Sequence, residues 1–206
     1  MFLKTSEFKK QVKKAYEGMG IHVMHFEDGL FAINAGWWFL EVKKDYFTKA
    51  NMAALISIVG ALPDKGHAVL YQKTREPQEE ILEVNYQDLS DEYKRTKTNY
   101  KTTNVVFRTQ NTSVEVMQQL NGLEHVLIPQ QFIGMIDTGK IEAEEDMNSS
   151  YGASADELNK MFWASDQMIL ACRKRPCRYL GEKTFIEAIS RIDLEWKWTE
   201  EEVIYN

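Results

Sequence analysis

Residues 21–43 carry the pattern that most restricts how this chain can fold. They read IHVMHF, then EDG, then LFAIN, then AG, then WWFLEVK. Each apolar run is four to six residues long, rich in β-branched and aromatic side chains, and bounded by turn formers. Asp28-Gly29 is a hairpin signal, because glycine takes the left-handed backbone that a tight turn requires. Three short strands at this spacing predict an antiparallel meander. A helical layer is expected beside it. Phe8, Val12, Ala15, Tyr16 and Met19 recur at helical spacing, while Lys9, Lys10, Lys13 and Lys14 fall on the other face. Thr5 or Ser6 is expected to cap that helix. A second helix fits 48–60 with Thr48 at its cap, and HAVLYQ at 67–72 reads as a further strand.

The second half starts again in the same manner. NVVFRTQ and SVEVMQQ read as strands, LNGLEHVLIP as an Asn-Gly turn leading into another, and Pro129 opens a short helix. Ser154 and Glu157 have the spacing of a capping box, and Leu158, Met161, Phe162, Ile169 and Cys172 suggest one long helix over about 155–172. A shorter helix follows at 182–192, and DLEWKW reads as a last strand. The predicted class is α+β, with two small lobes of antiparallel strands and a few packed helices. Residues 1–73 form the first lobe in this reading, and 104–206 the second. Residues 74–103 are polar and charge-rich, and are expected to be a connector.

At 206 residues, with 44% hydrophobic and 12% aromatic residues, the chain is long enough to bury a sizeable core. No apolar run reaches the length of a membrane span, and the N-terminus has no signal-peptide pattern. Two cysteines are too few for a disulfide scaffold, so a cytoplasmic setting is expected. The net charge is −6, and residues 104–206 alone hold 17 Asp/Glu against 10 Lys/Arg. Such a balance opposes broad binding to nucleic acid but leaves room for a local basic contact.

One such contact is written into LACRKRPCRYLGEK, residues 170–183. Arg173, Lys174, Arg175, Arg178 and Lys183 crowd there around Pro176. Arginines on a constrained loop offer forked donors to phosphate or carboxylate. The bland alternatives are a favourable position past a helix end and pairing with Glu142, Glu144, Glu145 and Asp146. Trp37, Trp38, Trp196 and Trp198 join the basic residues as candidate partner contacts, since exposed Trp and Arg are enriched in interface hot spots.

No metal is expected. His22 and His25 lie on opposite faces of one strand, His67 and His125 stand apart, and Cys172-x4-Cys177 lacks the second ligand pair of a zinc site. No phosphate-binding glycine motif or nucleophile elbow occurs, so no cofactor is expected. The sequence therefore points to a small acidic interaction protein without catalytic activity. Its expected partner is another protein or a protein–nucleic acid complex, in the manner of inhibitors carried by phages and mobile elements. Two rivals stand beside this reading. One is a nucleic-acid-binding module using the 173–183 cluster with the α-helical lysines at 9–14. The other is an enzyme with a site around Cys172 or His125.

Overall fold

The computed structural model describes residues 2–82, 88–108, 112–137, 140, 152–155, 157–177 and 180–194. Among the described residues, eleven strands form one sheet: β1 (Ile21–His25), β2 (Leu30–Asn34), β3 (Trp38–Lys43), β4 (His67–Gln72), β5 (Arg75–Ile81), β6 (Thr98–Arg108), β7 (Ser113–Gln119), β8 (His125–Pro129), β9 (Gly152–Ser154), β10 (Lys160–Ser165) and β11 (Met168–Arg173). Their order is β5-β4-β1-β2-β3-β11-β10-β9-β6-β7-β8, and every pairing is antiparallel. The strands of each half form one block, and the blocks meet where β3 pairs with β11. The fold is α+β. Among the described residues, no helix is long and apolar enough to cross a membrane.

Strand alternation sends side chains to two covered faces. On one face Ile21, Val23, Phe31, Ile33, Trp38, Leu40, Trp163 and Leu170 form the main core. It is roofed by α1 (Thr5–Glu17), α2 (Lys49–Val59) and α4 (Gln130–Ile133), which contribute Phe8, Val12, Leu55 and Phe132. On the other face, α3 (Leu89–Tyr93) packs Leu89 and Tyr93 near Phe39, Phe162 and Ala171. There too α5 (Leu180–Ile189) sets Ile189 and Phe185 against Val114, Val116 and Leu127. Phe185 stacks on Phe107 with ring centroids 5.2 Å apart.

The meander and its turns form as expected. Gly29 sits at φ +86°, and Asp28 Oδ1 accepts a hydrogen bond from the Leu30 amide at 3.0 Å. Thr48 caps α2 by accepting from the Asn51 amide at 3.2 Å. The start of α1 differs. Lys4 is its N-cap without a side-chain bond, because the Lys4 amide donates to Met135 O and Leu3 bridges to Ile136, which fixes the chain one residue earlier. Residues 74–103 contain β5, α3 and the first part of β6.

The long helix expected over 155–172 is not formed. That stretch contains the β10–β11 hairpin, which turns at Asp166-Gln167. Both strands lie mid-sheet, with Trp163 and Leu170 on one face and Phe162 and Ala171 on the other. Burial on both faces yields continuous apolar runs, and those satisfy a helical template as readily as a strand. Arg173, Lys174 and Arg175 consequently lie at and just past a strand end, and not past the end of a helix. The expected final strand at 193–198 lies mostly outside the described residues, as does the acidic stretch 142–146.

Candidate interaction surface

The basic run is tied down by its own backbone. The amides of Arg173, Lys174 and Arg175 donate in turn to Trp37 O (2.9 Å), Asn159 O (3.1 Å) and Leu127 O (2.8 Å). Three successive hydrogen bonds to three separate segments hold the chain as it leaves β11, so the side chains start from a fixed frame.

Each side chain then takes a different role. Arg173 is exposed. Its Nε donates to Gly36 O at 2.7 Å, and its guanidinium lies 5.4 Å from the Phe39 ring centroid. That bond braces the Asn34–Trp38 turn, where Gly36 takes φ +76°. Lys174 sets its ammonium 5.9 Å from the centroid of the buried Tyr100 ring. Arg175 turns inward, and its Nη2 donates to Glu182 Oε1 at 2.6 Å. Lys183 is exposed on α5. Arg178, Trp196 and Trp198 lie outside the described residues.

Trp37 and Trp38 separate as neighbours on a strand edge must. Trp38 is buried in the main core, while Trp37 is 41% exposed. Trp37 borders a cleft of about 280 Å³ whose other walls include Pro129, Phe132, Arg175 and Pro176. The Met19 methyl lies beside Gly36, next in sequence to Trp37, and is itself exposed. Lys14 on α1 donates to Gln131 Oε1 at 2.6 Å, and Gln131 lines the same cleft. Trp37, Arg173 and Arg175 are thus brought together, and Trp38 is not among them.

The structure does not bring Cys172 and His125 together. Cys172 lies on β11 and His125 on β8, and neither imidazole nitrogen has a hydrogen-bond partner among the described residues, so no bond joins the ring to the thiol. Burial pushes the Cys172 thiol far above its ordinary range and lowers the pKa of His125. Cys177 is half-buried, and its thiol is also raised, mainly by burial. A soluble thiol reagent at pH 8 is therefore expected to modify Cys177 first and to reach Cys172 only after unfolding. Two equally fast thiols in the native protein would contradict this burial.

A second concavity, of about 630 Å³, lies between α3 and the ends of the β2–β3 and β10–β11 strands. Sequence reasoning missed it, because α3 falls in the stretch read as a connector and β10–β11 in the stretch read as a helix. The buried, acidic Glu41 in the middle of an apolar strand is the one signal that pointed there. Its Oε1 accepts from the Leu89 amide at 2.7 Å and so ties α3 to the sheet.

Compared with known proteins, the sequence matches no family model and no curated protein. Solved structures similar to it are DNA polymerase sliding clamps. The Bacillus subtilis clamp is 9% identical with a TM-score of 0.36, covering 86% of this chain and 65% of that one. The Bartonella birtlesii clamp is 10% identical with a TM-score of 0.31, covering 89% and 67%. A putative polymerase III β subunit of Eubacterium rectale is 9% identical with a TM-score of 0.35, covering 91% and 67%. The chain thus spans about two thirds of the length of these proteins. Likeness of this degree carries no argument about activity.

Proposed function

We propose that this protein is a non-catalytic interaction protein that engages a partner protein through the cleft beside Trp37. The observation that carries this reading is the exposed indole of Trp37. It stands on a turn braced by Arg173 and next to an apolar cleft walled by Pro129, Phe132 and Pro176. An aromatic anchor at low entropic cost beside a pre-formed pocket is the arrangement in which interface energy concentrates. Action as a cytoplasmic inhibitor of phage type, with the acidic second half standing in for phosphates, is the specific form favoured here. A photo-crosslinking residue at position 37 tests the reading in the native cell, with the same residue at exposed Lys65 as control. A discrete adduct at 37, absent at 65 and weakened by Arg173→Ala, is expected. Equal adducts at both positions would defeat it.

A second reading is supported by the lysines of α1. Lys9, Lys10, Lys13 and Lys14 are all exposed, Lys10 alone of them being paired with a carboxylate of α1, Glu7 at 2.6 Å, and the neighbouring helices α2 and α4 carry no carboxylate. Positive charge is thus collected on the helical layer of an acidic protein, where it would meet nucleic-acid phosphates. Duplex DNA binding that falls steeply with salt, and is abolished by Lys9→Glu with Lys13→Glu, would favour it. No retention of the duplex at about 50 mM salt would remove it.

A further inference from the structure

The larger groove under α3 has a chemistry different from that of the Trp37 cleft. Its apolar part is built from Leu30, Tyr93, Ala164, Met168 and Ile169. Around this strip stand the carboxylates of Asp28, Glu41, Asp88 and Asp166, against two ammonium groups, Lys43 and Lys94. Lys94 is held by Asp91 at 2.8 Å along its own helix, so part of its charge is already answered. Asp28 and Asp88 each accept a backbone amide on one oxygen, from Leu30 at 3.0 Å and from Ser90 at 2.6 Å, while Asp166 stands exposed in the β10–β11 turn.

We propose that this groove receives a segment of a partner protein in which a Lys or Arg side chain lies next to an aliphatic one. The excess of carboxylates over ammonium groups selects a cationic side chain. The apolar strip selects a side chain over a bare ion, because a hydrated ion gains nothing from Leu30 or Ile169. A nucleic-acid strand is disfavoured, since its phosphates would face an excess of carboxylates. The inference does not rest on the Trp37 cleft, and either surface can fail while the other stands.

Fluorescence anisotropy of the full chain tests it with labelled peptides of alternating leucine and arginine. Two companion peptides replace every arginine by glutamate or every leucine by serine. The leucine–arginine peptide is expected to bind at one site, at least tenfold tighter than either companion. Asp166→Lys, in an exposed turn, should weaken binding at least fivefold, and Lys43→Glu should tighten it. Glu80→Lys makes the same charge change on the exposed strand β5 and should alter binding less than twofold. Equal losses in Asp166→Lys and Glu80→Lys would reduce the effect to attraction by net charge and overturn the proposal. Undiminished binding of the serine peptide would overturn it too, and so would loss of binding in Trp37→Ala, which would move the peptide to the other cleft.

Discussion

Arg175→Ala is expected to destabilise the protein by about 3 kcal/mol, read as a lowered urea midpoint with an unchanged slope. Arg175 and Glu182 pair at 2.6 Å with side chains only 15% and 1% exposed. Removing the guanidinium takes a charged partner at 2.6 Å from a carboxylate in the interior. The cost of breaking such a pair exceeds what forming it contributes. The value sits at the low end for buried pairs, because the Arg175 side chain keeps some contact with solvent and Glu182 has other polar contacts. Arg175→Met with Glu182→Leu should recover most of the loss, since an apolar pair of similar volume needs no compensation. Arg173→Ala should cost at most about 1.5 kcal/mol, the scale of its single bond to Gly36 O. Equal losses from Arg173→Ala and Arg175→Ala would show that the inward pair carries no special weight. Arg173 is exposed, whereas Arg175 turns inward and balances a buried charge.

Residues 1–73 were legible because their strands are short, their turns are marked by Asp-Gly and Asn-Ala-Gly, and their helices are periodic, α2 with a Thr48 cap, whereas β5 and α3 fell in the polar stretch read as a connector. In the second half, β7, β8 and α4 were equally plain, β6 was legible only from 104 because 98–103 read as connector, and Asn121 takes the positive φ that its Asn-Gly turn demands. The sequence misled where the sheet is covered on both faces. In β10 and β11 no alternation remains, because Phe162 and Trp163 are both buried, as are Leu170 and Ala171. The hairpin turn between them, Asp166-Gln167, lacks glycine and gave no break. Short apolar length was the better guide there, since each run is six residues.

The site divides along the same line. Trp37 and Arg173 could be singled out by residue type, but their joining at one turn depends on the β3–β11 pairing. That pairing links positions 126 to 134 residues apart, which no local pattern encodes. The α3 groove was harder still. Its acidic members come from four separate segments, and in a chain with 31 Asp/Glu no single one stands out. Only the sheet order sets Asp28, Glu41, Asp88 and Asp166 around one hollow.

Trp38→Ala should lower stability by about 3–5 kcal/mol, whereas Trp37→Ala should change it by no more than about 0.5 kcal/mol. The two residues are adjacent, so composition, charge and local propensity change identically. Only the face differs. Trp38 is 2% exposed and meets Phe8 edge-on, with ring centroids 5.9 Å apart and planes at 73°. Phe8 in turn meets Phe47 edge-on at 6.0 Å, so removing Trp38 opens a void where α1 seats on the sheet. A void there cannot collapse easily, because the backbone of β3 is paired on both sides, to β2 and β11. For a domain of this size the loss corresponds to a fall in Tm of roughly 6–20 °C. Loss of helical signal from α1 ahead of the sheet would locate the damage at that seat. Trp37 packs no core, and its removal should act on partner capture alone. If instead Trp37→Ala unfolds the protein as Trp38→Ala does, the exposed indole is a structural support of the turn, and the cleft beside it loses its claim as an interface.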